Sequence, residues 1–182
     1  IAADAEIVLF PEMSLTGFSM HTDVTAEICQ PDAEVQSRAQ TGSTRTMAEI
    51  PQTGWTIEQV SSLARRHHKT IGIGWVKKTE PLCENHYSIV TPDGKIAMDY
   101  AKIHPFSYGE EHAHFRGGEK LCTGWLGEFQ AGLAICYDLR FPEQFRVMVP
   151  ETEIFIVAAN WPESRVSHWK ALLAARAIEN QC

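Results

Sequence analysis

No stretch of this 182-residue sequence approaches the roughly 20 consecutive apolar residues that a membrane helix needs. Its first residues also lack the basic segment and apolar stretch of a secretory signal, so a cytoplasmic location is expected. Basic residues are in the minority: 16 Lys and Arg face 23 Asp and Glu, for a net charge of -7. That balance repels phosphate backbones and anionic headgroups, so neither nucleic acid nor a membrane is expected as a partner. Cysteine is scarce as well. The five thiols are odd in number and show no C-x-x-C spacing, which argues against a disulfide framework or structural zinc and for free thiols in a reducing compartment. There is no initiator Met, repeat, low-complexity tract or linker, and a helical pattern stops at Asn180-Gln181-Cys182 without a cap. The expectation is one domain over residues 1–182, cut from a longer one at both ends.

What is present is ordinary for a globular domain: 44% hydrophobic and 21% charged residues. Apolar runs of strand length alternate with amphipathic windows. Ile7-Val8-Leu9-Phe10, Leu133-Ala134-Ile135 and Ile154-Phe155-Ile156-Val157 read as buried strands. Ile57, Val60, Leu63 and Ala64 predict a helix over 56–69, with Thr56 and Gln59 as a capping box. A β-rich run follows at 70–76, and residues 86–98 read as a hairpin around Pro92-Asp93-Gly94-Lys95. Pro142 suits the first turn of a helix, and another spans 166–179 with Trp169, Leu172, Leu173 and Ile178 as its core face. Hairpins mixed with strand–helix alternation point to an α/β layered sandwich. The polar segment 22–54 has no sustained period and reads as irregular, or as an elaborated helix and loop.

Three positions invite chemistry, each with a plainer explanation beside it. Cys136 ends a buried run just before a helix, where a helix N-terminus and a nearby cation favour the thiolate; the plainer reading is a small buried hydrophobe. Glu12 follows a buried strand and Pro11, a setting suited to a general base, or else a capping or ion-paired carboxylate. Lys102 lies among apolar and aromatic neighbours, where a snorkelling surface lysine is the common case.

Taken together, Phe10-Pro11-Glu12 with Thr16-Gly17-Phe18, Lys102-Ile103-His104 and Cys136-Tyr137-Asp138-Leu139-Arg140-Phe141-Pro142-Glu143 resemble the nitrilase superfamily of carbon–nitrogen hydrolases in order and spacing, over nearly the whole chain. The resemblance implies a four-layer α-β-β-α sandwich, here without the family's first strand and its C-terminal strands. It implies a Glu12-Lys102-Cys136 triad, with Glu111 of the Glu-x-x-x-Phe pattern as a second glutamate and Glu110 as its neighbouring possibility. It also implies a homodimer or larger homo-oligomer, and no metal or organic cofactor. In the mechanism that follows, Cys136 attacks the carbonyl, Glu12 moves the proton, and Lys102 with the Tyr137 backbone N–H faces the oxyanion. Cys136–Glu143 and Asn160-Trp161-Pro162 look most like the ω-amidase-like branch, which hydrolyses the terminal amide of short α-keto acid amides. Arg140 and Arg165 are candidates for a substrate carboxylate, with Asn160 and Trp161 beside them; Arg140 paired with Glu143 is the structural alternative.

Rival readings are a metal-dependent hydrolase using His112 and His114 from an extended strand, a papain-like His168–Cys136 pair, an N-carbamoyl hydrolase or nitrilase, and a binding module without turnover.

Overall fold

The computed structural model describes residues 4–31 and 52–182. The chain enters as β1 (Ile7–Leu9), makes one helical turn, α1 (Thr22–Thr25), and pairs β2 (Gln30–Pro31) with β3 (Gln52–Thr53). The rest of the polar 22–54 segment, with Gly42 and Pro51, lies outside the described residues.

The helix expected at 56–69 is α2 (Trp55–His67), ended by His68 in the left-handed conformation. Its capping box does not form. Gly54 is the N-cap, and the Thr56 N–H donates to Glu27 Oε2 at 2.8 Å while its hydroxyl bonds the same carboxylate. Glu27 thus supplies from a distance the acceptor and negative charge that a helix start attracts. Ile57, Val60 and Ala64 are buried as expected, but Leu63 is exposed because it falls off that face.

β4 (Thr70–Lys77), β5 (Glu84–Val90) and β6 (Ile96–Ala101) follow as an antiparallel meander, and β1 joins β4 in parallel, giving the order β1-β4-β5-β6. Gly94, at φ 77, makes the β5–β6 turn. The second sheet has the order β7 (Thr123–Leu126), β8 (Phe129–Ile135), β9 (Ile154–Ala158), with β8 and β9 parallel and joined through α3 (Pro142–Met148). Helix α4 (Val166–Asn180) comes last.

The two sheets face each other across Tyr87, Ile89, Met98 and Tyr100 on one side and Leu126, Leu133 and Ile135 on the other. Burying each such side chain contributes roughly 1.5–3 kcal/mol. α2 covers the outer face of the first sheet through Ile71, Ile73 and Trp75, and α3 and α4 cover the second through Phe145, Trp169, Leu172 and Leu173. The layers run α-β-β-α, as expected.

Three expectations of burial fail. β1 and β9 are edge strands of their sheets, so Ile7, Leu9, Phe10 and Ile154 are exposed, and Phe155 to Val157 are only half-buried. Ile178 is 78% exposed, because α4 turns Arg176 and Asn180 inward instead. Among the described residues, no helix is long and apolar enough to cross a membrane.

Candidate active site

Glu12 is completely buried although the strand before it is not. The chain bends under the sheet after Phe10, where the Tyr87 hydroxyl donates to the Phe10 carbonyl at 2.8 Å, and crosses Gly74 on β4. A Cβ at Gly74 would lie 2.5 Å from the Met13 nitrogen and 2.6 Å from the Pro11 oxygen, so the close crossing requires glycine. The Ser14 N–H donates to the Gly74 carbonyl at 3.0 Å and pins the bend.

Lys102 follows β6 and is 1% exposed, so it does not snorkel. Its Nζ donates to Glu12 Oε1 at 2.9 Å and to Glu111 Oε2 and Oε1 at 2.8 and 3.1 Å. Burial alone would drive the ammonium toward neutrality, but Glu12 and Glu111 outweigh it and hold its pKa above the ordinary lysine value. Of the two glutamates left open by the sequence, Glu111 is the one turned inward; Glu110 is exposed and takes a left-handed conformation that starts the turn. Glu111 Oε2 also accepts the Phe106 N–H at 2.6 Å. Asn85, buried on β5, donates through Nδ2 to Glu12 Oε1 at 2.8 Å and Glu111 Oε1 at 3.0 Å.

Cys136 directly follows β8 at φ 47, a left-handed conformation that costs a non-glycine residue about 1–3 kcal/mol. The fully buried Asp138 holds this turn. Its Oδ2 accepts the Ile135 N–H at 2.9 Å and the Tyr100 hydroxyl at 2.8 Å, while Oδ1 accepts the His104 N–H at 3.0 Å and lies 2.8 Å from His104 Nδ1. His104 follows Lys102 by two residues and stacks on Phe141, so one carboxylate ties the cysteine turn to the lysine strand. Burial, then Glu12, raise the Cys136 pKa, and Lys102 offsets this only in part. The shift opposes the lowering expected from a helix start and a nearby cation. Dehydration outweighs the lysine.

Asn160, expected beside a substrate, lines the pocket with Cys136, and its polar groups are engaged within the site. Its N–H donates to Glu12 Oε2 at 2.8 Å, its Nδ2 to the Glu12 carbonyl at 2.7 Å, and its own carbonyl accepts the Cys136 thiol at 3.5 Å. It fixes base and thiol relative to each other. Cys136 opens onto a pocket lined by Phe18, Phe106, Tyr137, Arg140, Trp161 and Arg165. Arg140 lies 5.2 Å from the Trp161 ring and 5.8 Å from Tyr137, and Arg165 lies 4.8 Å from Tyr108. Arg140 does not pair with Glu143; its remaining polar partner is His168 Nδ1 at 3.4 Å. His168 meets Arg140, whereas the Cys136 thiol donates to the Asn160 carbonyl, so the papain-like pair has no hydrogen bond behind it among the described residues. His112 lies within a 3-10 turn (Glu111–Ala113) and His114 follows it, so neither is on an extended strand, and among the described residues no three of His, Cys, Asp and Glu form a metal-ligand group.

Asn85, Asp138 and the double role of Asn160 were not foreseen. Asp138 stood inside the quoted cysteine motif, whereas Asn85 lies between Glu84 and His86 in the polar start of β5, where the sequence offers no signal to single it out.

Residues 1–182 match the carbon–nitrogen hydrolase family. The chain is 34% identical over 177 residues to an omega-amidase of Yersinia enterocolitica, covering 97% of this chain and 59% of the relative. It is 36% identical over 122 residues to a 2-oxoglutaramate amidase of Bacillus subtilis, covering 65% of this chain and 47% of the relative. This chain thus spans about half to three-fifths of the curated relatives' length. Among solved structures, a CN-hydrolase superfamily protein of Xanthomonas campestris with an arsenic adduct in its active site superposes with a TM-score of 0.76. It is 28% identical, and the match covers 98% of this chain and 61% of that one. An amidase from Nesterenkonia, 21% identical, shares the fold at a TM-score of 0.75 over 98% of this chain and 60% of its own.

Proposed function

The chain belongs to the carbon–nitrogen hydrolase family, and on that premise we propose that it cleaves the C–N bond of a small amide through a cysteine thioester. The observation that carries this reading is the meeting of Glu12, Lys102 and Glu111 in one buried cluster beside the Cys136 thiol, at the floor of a pocket. Glu12 takes the thiol proton as Cys136 Sγ bonds to the carbonyl carbon, whose oxygen becomes anionic. Lys102 and the Tyr137 backbone N–H face that oxygen, each such donor being worth about 10²–10³ in rate. Lys102 is bidentate to Glu111, so one of its N–H groups turns to the oxyanion while the other partners remain. Collapse expels the nitrogen, which receives the proton from Glu12 and leaves as ammonia. Water then attacks the thioester, giving its proton to Glu12, which returns it to the departing sulfur.

The substrate we favour is the terminal amide of a short α-keto acid amide. The names of the Yersinia and Bacillus relatives support it. So does the pocket rim, where Arg140 and Arg165 are held by aromatic faces without a carboxylate partner among the described residues, open to an anionic acyl group. We also assign the protein to the cytoplasm, in line with its free thiols. A homodimer or larger homo-oligomer is in keeping with Val147 on α3 and Ile178 on α4, which lie exposed.

The test is ammonia release from a panel of α-keto acid amides, neutral amides, N-carbamoyl amino acids and nitriles, repeated after iodoacetamide and after chelation. α-Keto acid amides are expected to lead, with activity lost to the alkylating reagent and kept with the chelator. Turnover that survives alkylation and dies on chelation would overturn the thioester; preference for a carbamoyl compound or a nitrile would overturn the substrate.

A further inference from the structure

We propose that Asn85 is a positioning residue for this reaction: its side-chain amide stands between the two carboxylates that share Lys102 and keeps Glu12 available as a proton acceptor. The proposal rests on the hydrolase reading above. Ionised Glu12 and Glu111 with one ammonium leave an excess negative charge in a site where all three groups are almost completely buried. Like charges so placed repel each other, and Glu12 must stay ionised to accept the Cys136 proton. Lys102 does not remove the conflict, since it serves both glutamates. Asn85 Nδ2 has two hydrogens and directs one to Oε1 of each, at 2.8 and 3.0 Å. It stabilises both carboxylates without adding a charge and without a proton of its own to lose.

Two further observations separate this from simple packing. Asn85 Oδ1 is buried with no hydrogen-bond partner among the described residues. An unpaired acceptor is costly, and the flipped amide that would change it aims oxygen at two carboxylates. The same residue also accepts the Lys102 N–H through its carbonyl at 2.8 Å, so it sets the lysine's main chain and both of the lysine's partners. The titratable and charged groups facing this amide are Glu12 from the bend after β1, Lys102 from the end of β6 and Glu111 from the turn after it, with the Cys136 thiol beside Glu12. His86 belongs to the opposite face of β5, with Glu84 and Asp99.

Asn85→Leu removes both donors, and the near-isosteric Asn85→Asp replaces them with a third carboxylate. Two pH profiles are measured for each: kcat/KM for ammonia release, and the iodoacetamide rate at Cys136, followed on its own peptide by mass spectrometry, which needs no substrate. Asn85→Leu is expected to lose about 10- to 100-fold in kcat/KM near neutrality, mostly in kcat. Its acid limb, and the pH at which Cys136 becomes reactive, both move up. Asn85→Asp loses more at neutral pH and recovers part of it as the pH falls. Wild-type profiles in both variants would overturn the proposal, and if Asn85→Leu does not fold, a wild-type profile in Asn85→Asp does so alone. Wild-type protein that releases no ammonia, or Cys136→Ala that still releases it, defeats the thioester reading instead. The alkylation profiles judge Asn85 in either case.

Discussion

Asn85 and His86 are neighbours on β5 that face opposite sides of one sheet, and each sits between two carboxylates. Inward, Glu12 and Glu111 share Lys102 and the Asn85 amide. Outward, His86 meets Asp99 through Nδ1 at 3.0 Å and Glu84 through Nε2 at 3.1 Å. The outer pair has further help: Arg116 lies 2.7 Å from Glu84, and a chain from Trp75 through Ser88 ends on Asp99. There two carboxylates meet Arg116 and an imidazole whose charged form they favour. The inner cluster has one cation for two anions, an orphaned amide oxygen and a thiol beside it. The outer cluster is the better compensated of the two, and the inner one is the cluster to which the proposed proton transfer is assigned.

Breaking the inner cluster at its reacting atoms gives the largest effect. Cys136→Ala is expected to lower ammonia release roughly 10⁴-fold or more while leaving the urea midpoint close to wild type, since alanine replaces the thiol's packing. Glu12→Gln keeps the shape and loses the base, so acylation and deacylation both fail, and a rapid-quench experiment should find no thioester. Lys102→Ala is next, and it strikes activity and stability together. Removing one partner of a buried ion pair costs about 3–5 kcal/mol. The uncompensated glutamates then bind a proton in the folded state, so the deficit shrinks as the pH falls. Urea midpoints at acid and alkaline pH check this; equal deficits at both would uncouple Lys102 from the carboxylates.

At the pocket rim, Arg140→Leu should raise KM about 10- to 100-fold for an amide carrying a carboxylate and leave a neutral amide unchanged. Equal effects on both would make Arg140 a packing residue. The smallest effect belongs to the outer cluster. Burial works against the charged His86, but Asp99 and Glu84 prevail and raise its pKa, so its contribution is complete below the unfolded value near 6.5 and is lost as pH rises through the folded one. The His86 hydrogen bond lowers Glu84, and His86 overcomes burial to lower Asp99; their contribution is present above the unfolded carboxylate values and lost as pH falls through the folded ones. His86→Gln should cost about 1–3 kcal/mol near pH 6 and less at pH 8, with kcat unchanged. A kcat that follows His86 would mean that the two faces are coupled through β5.

Much of this was legible in the sequence, and the exceptions share a cause. The strand runs, the Gly94 turn, Pro142 at a helix start, and Glu12, Lys102 and Cys136 as site candidates all follow from short spacings or from motifs in order. Period and propensity report on a residue's own element. They do not report which strand lies at an edge, and so the exposure of Leu9 and Ile154 was missed. Nor do they report partners brought by another part of the chain: Glu27 capping α2, Asn160 reaching Glu12, or Asp138 joining the cysteine turn to His104. The upward shift of the Cys136 thiol was missed for the same reason, because dehydration by surrounding elements outweighs the cation beside it.

Gly74 makes the aim of the base depend on a missing methyl group. β4 is braced by β1 and β5, whereas the Pro11–Met13 bend hangs from the end of an edge strand, so a side chain at 74 would displace the bend rather than the sheet. A movement of about 1 Å is enough to cost around a hundredfold in rate. Under the proposed mechanism, turnover can therefore be lost to a change that touches no reacting atom. Such a lesion is one of alignment: a melting-temperature screen would pass it, and only a measured turnover would reveal it.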